Sequence, residues 1–415
     1  MGRLNTALLL PVLCAALLAP GGRALALETD QFTVPARALP DLGPEIDVYV
    51  AATVFDVAQD LNARAAAHEA AARRSTWPWK GYHRGRAARY READFLTKRV
   101  YDALAGPGLP ESRIEQWVRR NDFRATRATG GRAVFETTLA RCVYGNSPFN
   151  KPLLLAFLSP TVNLHGSYMG VDKLGHVFQH GYHYFEEYRR AERGGADDAR
   201  ATTRAVKRGV SEERSFYGEL TTGVYSNADL AANLAGLKFY LNLTRPVRVG
   251  GETLAPLLVR DRAGHWCFNP GRRPTEQLLL LADDTFNEAL NPSRFHGVLR
   301  DTVRGRLKGR AEKLLEFYET TPQRERERVA ELATWKGEHY GHSGFSRLVT
   351  IADSFPRSPA PVPPAVAPPD GGAVVAGARA SASAPPVASP VGSRTASPAS
   401  PPASGRTVPA RLSTR

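Results

Sequence analysis

The chain has 415 residues, of which 42% are hydrophobic and 23% are charged, as in an ordinary globular protein. This composition excludes a wholly disordered chain and a protein with many membrane spans, and the length allows one large domain or two ordinary ones. The net charge is +14, but half of it falls in residues 1–26 and 356–415. The segment between them is only mildly basic, so we expect no nucleic-acid partner.

The first 26 residues have the parts of a secretory signal peptide. A short positive start is followed by the apolar run Ala7–Leu18 and then by the small-x-small sequence Ala24-Leu25-Ala26. The run is too short for a membrane span, which needs about 20 residues. We therefore expect cleavage after Ala26 and an exported protein that is periplasmic or associated with the cell envelope.

Within the mature chain, residues 27–355 show mostly helical periodicity and predict a single, mainly α domain. The predicted helices, in chain order, are Asp47–Arg73, Glu111–Asn121, Arg132–Tyr144, Val171–Arg193, Ala199–Val224, Asn227–Leu243, Thr275–Leu290, Phe295–Phe317 and Pro322–Glu338. The segment Pro246–Val259, with two adjacent glycines, predicts a small β-hairpin insert. Residues 356–415 hold 14 of the 31 prolines and no aromatic residue, which predicts a disordered tail.

Two further features of the chain each have two interpretations. Arg73–Arg91 mixes basic and aromatic residues, as expected either for peripheral contact with phosphate groups at a membrane surface or for a solvated loop with a few anchoring rings.

After cleavage of the signal peptide, Cys142 and Cys267 would be the two remaining cysteines. In an oxidising compartment these two cysteines would form a disulfide. The alternative is that they are two buried thiols.

The segment Gly170–Tyr188 carries an unusual polar helix face. At about 100° per residue, six hydrogen-bonding side chains share an arc of about 100°, namely those of Asp172, His176, Gln179, His180, His183 and Glu187. The opposite side is apolar and suits the core. A solvated face would normally carry Lys, Glu and Arg, so three histidines indicate a face that looks into a pocket.

Three interpretations of this face are open. In an acid–base site, Asp172 would orient the imidazole of His176. In a metal site, His176 and His180 have the i,i+4 spacing of two ligands, but Val177 stands where a zincin has Glu, and we assign no metal ligand. In a buried polar network, the same side chains would tie helices together.

A second polar group lies downstream, in Gly209–Leu243. Ser226-x-x-Asp229 predicts a capped helix start. Asp229, Asn233 and Gly236 then share one helix face at i, i+4 and i+7. Capping and close packing explain three of these residues, but Asn233 is an amide in an apolar helix and needs a polar partner.

Taken together, the two segments resemble the pattern of YfiM-like and VanZ-like bacterial cell-envelope proteins. In that pattern Asp-Lys-x-x-His opens one helix, an acidic residue follows, and a Gly-x-Ser-x-x-Asp-Leu-x-Ala-Asn-x-x-Gly segment comes last. The matching parts here are Asp172–His176 and Gly223–Gly236, with Glu213 or Glu219 as the acid between them. The second part departs from the pattern at its start, because two residues rather than one separate Gly223 from Ser226. The match covers about 65 of the 415 residues. The chain lacks the membrane spans of the VanZ-like proteins and the lipid-attachment motif of the YfiM-like ones.

The resemblance implies an envelope protein in which Asp172, Lys173, His176, Asp229 and Asn233 converge on one site. We predict a pocket between the Val171–Arg193 and Asn227–Leu243 helices, with Asp172 and His176 as the catalytic pair. The predicted ligand-binding residues are Lys173, His180, His183, Ser226, Asp229 and Asn233. The ligand would be an anionic envelope lipid or a cell-wall precursor.

Two other functions are consistent with the same residues. The first is a non-catalytic structural or scaffold protein of the envelope, with an internal polar network. The second is a metal-dependent hydrolase. The motifs identify no cofactor, and they leave open both the oligomeric state and whether the chain is an enzyme.

Overall fold

The computed structural model describes residues 28–106, 111–138, 140–145, 158–215, 218–220 and 222–356. The predicted signal peptide and residues 357–415 of the predicted tail lie outside this part of the chain. The described residues form a mainly helical fold with small two-stranded antiparallel sheets, as the sequence predicts. None of their helices is long and apolar enough to span a bilayer.

The helices follow one another along the chain, with the strands between them. The α-helices are α1 Gly43–Arg74, α2 Trp79–Tyr90, α3 Ala93–Leu104, α4 Arg113–Arg120, α5 Arg124–Thr129, α6 Asp172–Gly175, α7 Gly181–Arg193, α8 Asp198–Glu213, α9 Asn227–Asn242, α10 Gln277–Leu281, α11 Gly297–Lys308, α12 Ala311–Phe317 and α13 Pro322–Glu331. The strands are β1 Thr161–Leu164, β2 Ser167–Gly170, β3 Val224–Tyr225, β4 Val247–Val249, β5 Glu252–Leu254, β6 Leu258–Arg260, β7 Trp266–Phe268 and β8 Arg294–Phe295. They pair as β1–β2, β3–β8, β4–β5 and β6–β7.

Helix α9 lies at the centre of the fold, and all 16 of its residues are buried. The run Asp172–Arg193, made of α6, a π-helical turn at His176–His180 and α7, crosses it. The two helices meet at Gly181 and Gly236, where a Cβ on Gly236 would lie 2.0 Å from the carbonyl oxygen of Val177. The glycines therefore allow the backbones to approach closely enough for polar side chains on both helices to touch.

The predicted β-hairpin is confirmed, and a second hairpin follows it directly. Strands β4 and β5 turn at Gly250 and Gly251, whose φ angles of 58° and 89° are in the left-handed region that favours glycine. Strands β6 and β7 form the second hairpin. The side chain of Asn62 in α1 accepts from the backbone N–H of Trp266 and donates to its carbonyl oxygen, which fixes the second hairpin against α1.

Two predicted helices are wrong because tertiary contacts override the local pattern. Arg132–Tyr144 is irregular where it is described, since Phe135 exchanges backbone hydrogen bonds of 2.8 Å with Thr161 of β1. Thr275–Leu290 is broken into α10 and two short 3-10 turns. Asp283 opens the later of these turns, with its carboxylate accepting from the Thr285 N–H at 3.0 Å.

The disulfide interpretation is also wrong, because Cys142 and Cys267 are both free thiols. Cys142 lies in a second, smaller core with Phe295 and Leu299. Cys267 lies in β7, where its thiol donates to the carbonyl oxygen of Val259 on the paired strand.

Candidate functional site

The side chain of Lys173 is fully buried and surrounded by carboxylates. Its Nζ lies 2.8 Å from Oδ2 of Asp172, 2.5 Å from Oδ1 of Asp229 and 2.6 Å from Oε1 of Glu288. A buried ammonium without partners would cost several kcal/mol, and these three acids supply its compensating charge. We call these four residues the Lys173 cluster.

Three separate parts of the fold bring the cluster together. Asp172 and Lys173 begin α6, where the Asp172 N–H donates to Oγ of Ser159 at 2.8 Å. Asp229 lies in the first turn of α9, whose N-cap Ser226 accepts from the Asp229 N–H at 3.1 Å. Glu288 follows the 3-10 turn Asp284–Phe286, outside both sequence motifs, and no spacing rule points to it.

The first described residues of the chain also enter the cluster. Thr29 is 0% exposed, and its Oγ1 donates to Oδ1 of Asp172 at 2.5 Å. The hydroxyl of Tyr144 lies 2.8 Å from the Thr29 carbonyl oxygen and 3.2 Å from Oε2 of Glu288. Neither Thr29 nor Tyr144 belongs to a motif, so sequence reasoning missed both.

His176 contacts α9 through both of its ring nitrogens. Its Nε2 lies 3.2 Å from Oδ2 of Asp229, and its Nδ1 lies 3.0 Å from the side-chain amide of Asn233. The amide group that faces His176 also faces the backbone carbonyls of His176 and Asp229, each at 3.3 Å, so this group is the NH₂. In the neutral ring His176 Nδ1 is therefore an acceptor and the proton is on Nε2, whose contact with Asp229 lacks hydrogen-bond geometry.

The other two histidines continue from His176 toward the surface. The rings of His176 and His180 stack with centroids 4.7 Å apart, and His183 meets His180 edge to face at 5.7 Å. His180 is buried and His183 is half-buried. Burial and, next, the neighbouring His176 and His183 rings hold the pKa of His180 well below its usual value. The π-helical turn changes the angle between residues from the 100° on which the sequence analysis relied.

More acids surround the cluster than bases. Burial raises the pKa of Glu288 to about 7, against the opposing effect of Lys173. Burial and the charge of Asp229 hold the pKa of Glu213 well above its usual range, and its Oε1 accepts from the Ser226 N–H at 2.7 Å. Glu219, the other candidate for this acid, forms an ion pair with Arg294 instead, at 2.5 Å.

One set of side chains among the described residues has atoms placed for a metal ion. Asp172, His176 and Asp229 each offer one ligand atom, and these atoms lie within 4.8 Å of one another. Two carboxylates and an imidazole suit a divalent transition metal. Both carboxylates also contact the Lys173 ammonium, so a positive charge already occupies the space between them.

Solvent reaches the predicted site residues very little. Those that are each 7% exposed or less include Asp172, Lys173, His176, His180, Asp229 and Asn233.

A groove of about 500 Å³ lies elsewhere, along α8, where it is lined by residues that include Lys207, Val210, Arg214 and His339. Its lining contains no member of the Lys173 cluster.

We expect the neutral His176 ring to be the tautomer with its proton on Nε2. Nitrogen-15 NMR of the histidine side chains measures this directly, with the exposed His339 as the internal reference. Asn233→Leu removes the donor to Nδ1, and it should lower the free energy of unfolding by about 1–3 kcal/mol while allowing the other tautomer. A proton on Nδ1 in the unsubstituted protein would contradict the assigned orientation of Asn233.

No protein-family model, curated protein or solved structure matches this chain.

Proposed function

We propose that the chain is an exported, non-catalytic scaffold protein of the cell envelope, in which the Lys173 cluster is an internal structural network. The observation that carries this proposal is the Lys173 ammonium, which is 0% exposed and contacts three carboxylates at 2.5 to 2.8 Å. The network joins α6, α9, the segment around Glu288 and the N-terminal segment around Thr29.

The hydrogen bonds of the network argue against an acid–base role for Asp172 and His176. Oδ1 of Asp172 accepts from Thr29, and Oδ2 accepts from Lys173. His176 accepts from the Asn233 amide through Nδ1, whereas its Nε2 lies 3.2 Å from Oδ2 of Asp229 without hydrogen-bond geometry. A general base needs an atom within hydrogen-bond reach of its substrate. Both carboxylate oxygens of Asp172 are engaged, and His176 is 3% exposed, so a substrate in solvent does not reach Nε2. All three carboxylates of the cluster contact the Lys173 ammonium, so it offers no uncompensated charge to an anionic ligand.

Two observations support the envelope location. The sequence has the parts of a signal peptide before Ala26, and the resemblance to YfiM-like and VanZ-like proteins implies the same compartment. Residues Thr29 to Phe32, just after the expected cleavage site, are each 2% exposed or less. They are thus part of the folded core.

Metal binding is the second candidate function, because Asp172, His176 and Asp229 have a ligand-like arrangement. Elemental analysis of the purified protein tests it. A stoichiometric metal that is lost in the His176→Ala/Asp229→Asn double variant would replace the structural interpretation. A metal-free protein whose stability chelators leave unchanged would eliminate the metal-dependent hydrolase.

The structural proposal is tested by measuring stability and function in the same variants. His176→Ala and Asn233→Ala should lower the free energy of unfolding. Both variants should also complement a deletion strain less well, scored as detergent resistance, and the less stable variant should complement it less. The surface substitution Lys313→Ala, at an exposed residue of α12 that lines neither the groove nor the Lys173 cluster, is the control and should change neither quantity. Lost complementation with unchanged stability would instead identify His176 as a catalytic or ligand-binding residue.

A further inference from the structure

The turn between α1 and α2 exposes an unusual amount of aromatic surface. Trp77 is 88% exposed, Trp79 is 63% exposed and Tyr82 is 53% exposed. Large aromatic side chains are normally buried, and an exposed group of them marks an interaction surface. We call residues 73–84, which include this turn, the helical-hairpin tip.

The same tip carries positive charge without acidic partners. Its basic side chains, Arg73, Arg74, Lys80 and Arg84, are all exposed, and residues 73–84 contain no Asp or Glu. None of the four has a carboxylate within ion-pair distance among the residues that the structure describes. Farther along the hairpin, Arg64 pairs with Asp60 and Arg91 pairs with Glu69.

Helix electrostatics account for only part of this charge. Arg73 and Arg74 end α1, where cations stabilise the helix dipole. Lys80 lies in the first turn of α2, where the dipole disfavours a cation, and Arg84 lies beyond that turn, so the dipole stabilises neither.

The hairpin holds the tip in a defined position. Nδ1 of His68 in α1 lies 2.9 Å from Nδ1 of His83 in α2, and Ala72 and Ala87 are buried between the helices. The ring of Trp79 meets that of Tyr82 edge to face, with centroids 6.2 Å apart. Helix α1 has 32 residues and is therefore about 48 Å long, and the tip lies at its C-terminal end.

We propose that the helical-hairpin tip docks the protein onto an anionic membrane surface. Tryptophan and tyrosine prefer the boundary between lipid headgroups and acyl chains, where the ring is buried and its polar atom stays hydrated. The four cations lie beside these rings, at the level of the lipid phosphates. A nucleic-acid site would instead need an extended basic surface, and this patch is confined to one turn and its flanks. The inference is independent of the Lys173 network.

The test uses the full mature chain and vesicles of phosphatidylglycerol mixed with phosphatidylcholine. Binding is measured by co-sedimentation, and depth is measured by quenching of tryptophan fluorescence with brominated lipids. Of the five tryptophans, Trp266 and Trp335 are 4% and 0% exposed and Trp117 is half-buried, so quenching should come from Trp77 and Trp79. Vesicles of phosphatidylcholine alone should bind much more weakly.

Two double variants separate the aromatic and the charge contributions. Trp77→Ser/Trp79→Ser should weaken binding at least about tenfold and abolish the quenching. Lys80→Gln/Arg84→Gln should weaken binding about fivefold for each lost charge, and high salt should have the same effect.

Each double variant has a control that makes a similar change elsewhere on the surface. Phe345, which is 60% exposed, is the control for the tryptophans as Phe345→Ser. Arg193→Gln/Arg200→Gln is the control for the charges, because these side chains are 63% and 81% exposed. Equal binding of all variants, or no binding of the unsubstituted chain to anionic vesicles, would overturn the proposal. So would tip-dependent binding of a DNA duplex without binding of vesicles.

Discussion

Lys173→Met is expected to lower the free energy of unfolding by about 3–5 kcal/mol, because it leaves buried carboxylates without their cation. Methionine fills much of the volume of the lysine stem, so the loss is mainly electrostatic. Asp172, Asp229 and Glu288 would then face one another without the ammonium that all three contact. The penalty should shrink in acid, since protonation removes the charge of the remaining carboxylates.

Urea unfolding followed by circular dichroism measures this loss, and Lys207→Met supplies the control. Lys207 lies on the exposed side of α8, where the same change of residue should alter the free energy of unfolding by less than about 0.5 kcal/mol. A loss below about 1 kcal/mol in Lys173→Met would show that the cluster does not depend on its ammonium. Recovery of stability on adding a divalent metal would show that a cation of another kind fits the same position.

Glu115→Gln is expected to stabilise the protein in alkaline solution. Glu115 caps α4 by accepting from the Ser112 N–H at 2.7 Å, and burial raises its pKa from 4.5 to about 8. Between these two pH values the folded chain holds a proton that the unfolded chain has lost. The free energy of unfolding of the natural chain should therefore fall as the pH rises from about 5 to about 8. Glu288, with its pKa raised to about 7, acts in the same direction.

Glutamine keeps the capping hydrogen bond and removes the ionisation. Unfolding curves across this pH range should show a smaller slope for Glu115→Gln, and a gain on the order of 3 kcal/mol over the natural chain at pH 8 and above. Glu312→Gln is the matched control, because Glu312 is an exposed acid in the first turn of α12. Parallel pH profiles for the natural chain and Glu115→Gln would contradict a buried, protonated Glu115.

Sequence periodicity predicts much of the polar face, because it depends only on local geometry. Asp172 and His176 fall on one helix, Asp229 and Asn233 on another, and the structure brings the two pairs into contact. Glu288, Thr29 and Tyr144 reach the cluster through loops, whose paths depend on tertiary packing that no spacing rule encodes. The resemblance to envelope families rests on the two motifs and stays a prediction.

The helices likewise divide into those that local periodicity predicts and those whose course depends on tertiary packing. Asp47–Arg73 is predicted closely, since α1 has an apolar stripe of residues such as Val50, Val54 and Leu61. Phe295–Phe317 is split by the turn at Gly309 into α11 and α12, although both halves have helical periodicity. Arg73–Arg91 is predicted as a surface segment, either a membrane contact or a solvated loop, but most of it is α2, which packs back on α1. Helix α2 buries only Ala87 and Tyr90, which is too weak an apolar stripe to predict a helix.

The spacing of the Lys173 cluster along the chain sets an order of events during folding. Thr29 meets its partner Asp172 across 143 residues, and Lys173 meets Glu288 across another 115. Such contacts close large loops and slow folding, because the entropy of the loops is lost before the contacts form. The residues around Thr29 would leave a secretion channel first, yet they acquire their last partners only when residue 288 has followed. In an exported chain, as proposed above, the acids of the cluster would therefore stay hydrated until residue 288 has crossed.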